Sequence, residues 1–247
     1  MNNQALLLVL LASSFFIFGY LLTLIIKKKN TLVEIAIGMS FSVLILLAVF
    51  ELNSEAMENF NFYFANSFIS LGLLIGCLIV GMSILKFADK FIPHHDHHEE
   101  INTHHNHLHH IGLMTFISLL IHNFVEGMAV YSLSDSNMNS GLLLAIAIGL
   151  HNLPFGMQIG SLMKSKKKTI LLIIGLMIST LLGGLLGGLI GTISILITGI
   201  LVAVTLGMVV YLLVFELLPE IKETENKNKI YIGMVLGAII MGISLIL

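Results

Sequence analysis

Long apolar runs, each closed by a short polar stretch, divide the chain into eight segments. They run roughly from Ala5 to Ile26, Leu32 to Phe50, Asn66 to Lys86, Ile111 to Tyr131, Gly141 to Met163, Thr169 to Ile190, Ile193 to Phe215 and Ile230 to Leu247. At ~1.5 Å per residue each run is long enough to cross ~30 Å of hydrocarbon as a helix. Backbone in lipid must satisfy its own N–H and C=O groups, so the pattern predicts an all-α membrane protein of eight transmembrane helices. The polar stretches are too short for a core of their own, and residues 1–247 read as a single polytopic transmembrane domain. Composition agrees, with 57% of residues hydrophobic and only 11% charged, outside the balance of a soluble domain.

Charge orients the bundle. There is no arginine, and the lysines sort by loop: Lys27 to Lys29 in the first, Lys86 and Lys90 in the third, Lys164 and Lys166 to Lys168 in the fifth, Lys222, Lys227 and Lys229 in the seventh. The even-numbered loops hold Glu55, Glu58 and Asp135 instead. The positive-inside rule then puts both termini outside, with the cell membrane as the expected location. A signal peptide is not expected, because Lys27 to Lys29 follow the first apolar run. The single cysteine, Cys77, allows no intrachain disulfide and is expected to act as a small packing residue.

The third loop, at 87–110 and cytoplasmic by this orientation, contains "FIPHHDHHEEINTHHNHLHH", with nine of the chain's eleven histidines between His94 and His110. Such a tract is expected to be solvated, without regular structure, and to offer interchangeable imidazole and carboxylate ligands to zinc, nickel or copper. The other two histidines lie inside apolar runs and open the same phrase twice, "HNFVEG" at His122 and "HNLPFG" at His151. Spans four and five are consecutive, so the copies run antiparallel, the arrangement by which inverted-repeat transporters build a midplane site. His122 and Glu126 are i and i+4 and share a helical face, with Asn123 about 100° round from His122. His151 and Asn152 come from the second helix. There Pro154 frees the carbonyl of Leu150, which could face an ion. Buried histidine and asparagine can also serve only to hold helices together. An intramembrane glutamate, costing ~2.5 kcal/mol or more, favours a functional site. Imidazole nitrogen with carboxylate and amide oxygen suits a divalent transition metal held loosely enough to leave again.

With these features the chain resembles the ZIP (Zrt/Irt-like) family of divalent metal transporters. Eight spans, outside termini, the histidine-rich loop between spans three and four, the paired motifs in spans four and five, and "GMVVYLLVFELLPE" from Gly207 to Glu220 carry the resemblance. It implies a ZIP-like bundle with helices 4 and 5 at the core. It further implies transport of zinc, with iron, manganese or cadmium as alternatives, toward the cytoplasm. By motif position His122, Asn123, Glu126, His151 and Asn152 are the expected metal ligands. The metal is cargo, so no prosthetic group and no enzymatic reaction are expected. The partners are divalent metal ions and the lipid bilayer, with no nucleic acid, and a homodimer stays open.

Three positions depart from the family pattern: Val125 stands where many relatives have proline, Phe155 where many have glutamate, and the sixth span, "STLLGGLLGGLIG", carries no acid. The expectation is therefore a site with one carboxylate and one metal, and Gly183, Gly184, Gly187, Gly188 and Gly191 used for helix packing. Glu34 and Glu216 would line an exit or meet lysines and solvent. Two other readings share the metal theme. A degenerate relative would bind metal as a sensor or scaffold without moving it; a proton-coupled exporter would ordinarily bring a cytoplasmic domain and a different number of spans.

Overall fold

The computed structural model describes residues 2–25, 29–90, 100–163, 165–190, 194–224 and 227–247. Among the described residues eight helices are long and apolar enough to cross a membrane. They are α1 (Asn3–Ile25), α2 (Thr31–Phe64), α3 (Ser67–Asp89), α4 (Glu100–Ser136), α5 (Met138–Leu162), α6 (Lys166–Ile190), α7 (Ile195–Glu223) and α8 (Lys227–Ile246). No strand occurs among the described residues.

Local chemistry explains the tight connections. Asn66 and Asn137 cap α3 and α5, their side-chain oxygens accepting from the first free amides of each helix. Ala65, at φ 49°, ends α2 in the left-handed region and turns the chain at once into α3.

Helices α4 and α5 are central: 61% and 67% of their most apolar stretches are buried, against 28% for α3 and α8. Around them, α1 packs on α5 and α4 on α6, while α2 pairs with α8 and α3 with α7. Exchanging α1 with α6, α2 with α7, α3 with α8 and α4 with α5 maps this set of contacts onto itself. The bundle is thus two three-helix units related by inversion about a central antiparallel pair.

Glycine sets the spacing at equivalent crossings. A Cβ at Gly127 would run into the carbonyl oxygen of Thr180, and one at Gly183 into that of Phe124, so α4 and α6 touch backbone to backbone. Gly19 and Gly156 do the same for α1 and α5. The expected packing role of Gly183, Gly184, Gly187 and Gly188 is met by their close neighbours on α1 and α4, while Gly191 lies outside the described residues.

Two helices run further than hydropathy predicts. α2 does not stop near Phe50 but continues to Phe64, and α7 continues past Phe215 to Glu223. Each has a π-helical segment where the apolar run gives way to acids, Leu47–Leu52 in α2 and Leu212–Leu217 in α7. The wider turn rotates the rest of the helix about its axis, and beyond it Glu55 of α2 and Glu220 of α7 face the bundle while Glu58 and Glu223 stay exposed. Glu55 and Glu58, expected in a loop, are therefore helical. The histidine tract also differs from the expectation. Residues 91–99 lie outside the described residues, but α4 begins at Glu100, so the last part of the tract is helix.

Candidate metal centre

Both HN phrases sit mid-helix, and the crossing of α4 and α5 brings their histidines together. His122 Nε2 lies 3.0 Å and His151 Nε2 2.6 Å from the same oxygen, Glu126 Oε1. The two ring centroids are 6.1 Å apart. All three residues are 5% exposed or less. The hydroxyl of Ser244 donates to the carbonyl of Ala147 at 2.8 Å. It can therefore only accept from His151 Nδ1, at 3.5 Å, which leaves the Nε2 lone pair aimed at Glu126. A lone pair on nitrogen and a carboxylate oxygen this close require a proton or a metal ion to join them. Glu126 Oε2 has no hydrogen-bond partner among the described residues.

The other two expected ligands turn away. Asn123 donates to the carbonyl of Leu119 at 2.8 Å and accepts from Thr180 on α6 at 3.4 Å. Asn152 donates to the carbonyl of Ala12 on α1 at 3.4 Å. Neither lines the cavity that holds His122, Glu126 and His151. The reason is rotational: a residue adjacent to a histidine points about 100° away from it, toward the flanking helix.

That cavity, about 360 Å³, is lined also by Glu51 and Glu55 of α2. A second cavity of about 460 Å³ shares Glu55, Val125 and Ala129 with it and reaches Ser132, Ser194 and Thr198 at the adjoining ends of α4 and α7. The centre is therefore approached from the face where α4 ends and α7 begins. The N-terminus is on this face too, Asn2 donating to Asp135 at 3.1 Å. The group itself holds one carboxylate, Glu126, and Glu51 and Glu55 of α2, which the sequence reading did not place near it, line the same cavity. Phe155, fully buried, lies one turn beyond His151 and outside the cavity lining.

Glu51 and Glu55 had a sequence signal. "VFELNSE", 49–55, repeats in "VFELLPE", 214–220, so the inversion that exchanges α2 with α7 pairs Glu51 with Glu216 and Glu55 with Glu220. Glu216 does belong to a second group. His110 Nε2 lies 3.0 Å from Asp89 Oδ1 and 3.5 Å from Glu216 Oε1, and Tyr211 donates to Asp89 Oδ2 at 3.3 Å. One donor atom each from Asp89, His110 and Glu216 falls within 4.8 Å of the others, a spacing that could hold a metal ion. His110 is thus a buried residue between α3 and α7 and not a member of a solvated tract. Glu34 instead meets Lys229, at 3.5 Å. Cys77 packs in the apolar core, as expected.

A family model described as ZIP Zinc transporter matches residues 92–245. The chain belongs to the ZIP family. The match spans all of α4 to α7 and all but the last residue of α8, and takes in both His-Asn phrases and the second group except Asp89. No curated protein matches the chain. Membership, together with eight apolar helices, makes this ZIP protein an integral membrane protein of a divalent metal transporter family. Its buried His/Glu groups are compatible with that activity.

Proposed function

We propose that this ZIP protein moves zinc from the face bearing its termini, taken as the outside of the cell membrane, toward the lysine-bearing cytoplasmic face. The observation that carries this is the convergence of His122, Glu126 and His151 on one cavity open toward a single face. Two neutral imidazoles and one carboxylate are a borderline donor set, suited to zinc and tolerant of iron, manganese or cadmium. Glu51 and Glu55 draw the cation inward and offset charge that one carboxylate alone would leave in a low dielectric. In this scheme Asn123 and Asn152 contribute by anchoring α4 on α6 and α5 on α1. Asp89, His110 and Glu216 receive the ion at the other end.

The test is flux into sealed vesicles carrying an internal metal dye, with zinc, manganese, iron and cadmium outside, at about pH 7.5 and about pH 6, on either side of free histidine titration. Zinc should enter fastest. Acid should raise half-saturating zinc, because a proton occupies the same imidazole lone pair as the metal. Metal binding without entry would make the protein a sensor or scaffold instead.

Charge at the entrance gives a second expectation. Glu51→Gln combined with Glu55→Gln should raise half-saturating zinc by about tenfold, on the order of one ~1.4 kcal/mol charge interaction, with a smaller change in maximal rate. The same variant should lose much of the salt dependence of zinc entry, since steering by charge is screened by salt. Unchanged half-saturation and salt response would remove both acids from the path.

A further inference from the structure

The two His/carboxylate groups are far apart. His110 and His122 are twelve residues apart on α4, about 18 Å along the axis, and the open cavity stops at the upper group. Between them the α4–α5 interface is not uniformly apolar. Continuing the cavity-lining stripe of α4 (Glu126, His122) inward at helical spacing gives Ser118 and Thr115; continuing that of α5 from His151 gives Phe155 and Gln158. Ser118, Thr115 and Gln158 are all fully buried. The Thr115 hydroxyl donates to the carbonyl of Ile111 at 2.8 Å, so its oxygen can only accept. The group facing it, at 3.2 Å, is therefore the amide nitrogen of Gln158. This fixes the orientation of the amide and leaves Gln158 Oε1 without a hydrogen-bond partner among the described residues; Ser118 Oγ has none either. Two buried oxygens without a protein partner, on the facing stripes of α4 and α5, are open to a polar ligand, because buried polar groups are otherwise paired.

We infer that Ser118 Oγ and Gln158 Oε1, the latter's amide held in orientation by Thr115, form a further, weak cation site that hands a partly hydrated divalent metal from the His122/Glu126/His151 group toward Asp89, His110 and Glu216. The inference rests on the reading that the upper group lies on the transport path. Hydroxyl and amide oxygens are neutral, so this site holds a cation briefly, as a waypoint between two anionic sites must. Its level on the helices fits: Ser118 is about 6 Å and Thr115 about 10 Å inward of His122, and Gln158 is about 10 Å inward of His151. Phe155, between His151 and Gln158 on the same stripe, is fully buried, and its ring must yield when the metal passes.

Two sets of variants of the full chain in zinc-dye vesicles test this. In a Cys77→Ala background, Ser118→Cys or Gln158→Cys places a thiol at the waypoint. Each should make zinc flux about tenfold more sensitive to block by cadmium, one ligand's worth of tighter binding, and add a cadmium–thiolate absorption band. Separately, Gln158→Met and Ser118→Ala, which remove the oxygens and keep the packing, should each lower maximal zinc flux about tenfold. The visible spectrum of cobalt bound at the His/Glu group should stay as in the parent. Thiol variants that transport zinc yet ignore cadmium overturn the waypoint, as does normal flux in both oxygen-deleting variants. A changed cobalt spectrum overturns it too, since Gln158 would then be shaping the upper group. Loss of flux in Glu126→Gln but not in Gln158→Met rejects the waypoint and keeps the upper site; flux that survives Glu126→Gln overturns both.

Discussion

Glu126→Gln should leave a folded protein whose zinc flux is lower by about 100-fold or more. Glutamine fills the same volume, so the packing of α4 is kept and only the charge and one oxygen lone-pair set are lost. That oxygen is the single atom, among the described residues, within ion-pair distance of both His122 and His151. Without it two neutral imidazoles with centroids 6.1 Å apart face a divalent cation in a low-dielectric cavity with no anion in contact. Removing an outer partner of a metal ligand typically costs 10–100-fold, and loss of the ligand itself should reach or exceed the upper end of that range. Glu51 and Glu55 do not substitute, because they approach from α2 and make no ion pair with either histidine among the described residues. The measurement is initial zinc entry into vesicles at matched protein content, with gel filtration to show that the variant is monodisperse. Flux within a factor of about three of the parent, roughly half of one ~1.4 kcal/mol step, would remove Glu126 from the transport site.

The second large effect is structural. Gly127→Val should destabilise the bundle by about 3 kcal/mol or more, at or above the usual cost of overpacking, and should be recovered in far lower folded yield. At Gly127 any Cβ meets the backbone oxygen of Thr180, and at the reciprocal Gly183 it meets that of Phe124. Backbone cannot rotate aside as a side chain can, so α4 and α6 would have to separate. The damage is local to the chemistry, since Gly127 is next to Glu126 and the Asn123–Thr180 contact crosses the same interface. Gly72 and Gly76, in α3, supply the control. A Cβ there meets nothing within 4 Å, and Gly72→Ala or Gly76→Ala should fold as the parent does. Thermal unfolding in detergent, read by tryptophan-independent means because the chain has no tryptophan, separates the two outcomes. Equal stability for Gly127→Val and Gly72→Ala would show that the α4–α6 crossing is looser than the backbone contacts require.

Much of this was legible from residue order alone because it depends on local quantities. Apolar run length set the number of helices, since bilayer thickness is constant and rise per residue is known. Lysine placement set which loops share a face. The repeated HN phrase singled out spans four and five, and the i, i+4 spacing of His122 and Glu126 put them on one side of a helix. Rotation about each helix axis and the meeting of distant segments could not be obtained in that way. Asn123 and Asn152 belong to the same short phrases as the histidines, yet they turn toward α6 and α1 because adjacent residues diverge by about 100° and the glycine crossings hold those helices close.

Glu51 and Glu55 show the opposite case. Their charge marked them as the end of an apolar run, and a hydropathy reading places such residues in a loop. The helix continues through them because the π-helical segment at Leu47–Leu52 turns both toward a polar cavity that other helices build. Glu216, in the matching segment of α7, is drawn in likewise by Asp89 and His110 from two other helices. The sequence by itself determined the medium, the number of spans, their alternation and the pair of helices that carry histidine. Which polar side chains share a cavity was decided only by the tertiary structure, since a charge can be kept inside a membrane protein only where side chains remote in sequence converge to offset its desolvation.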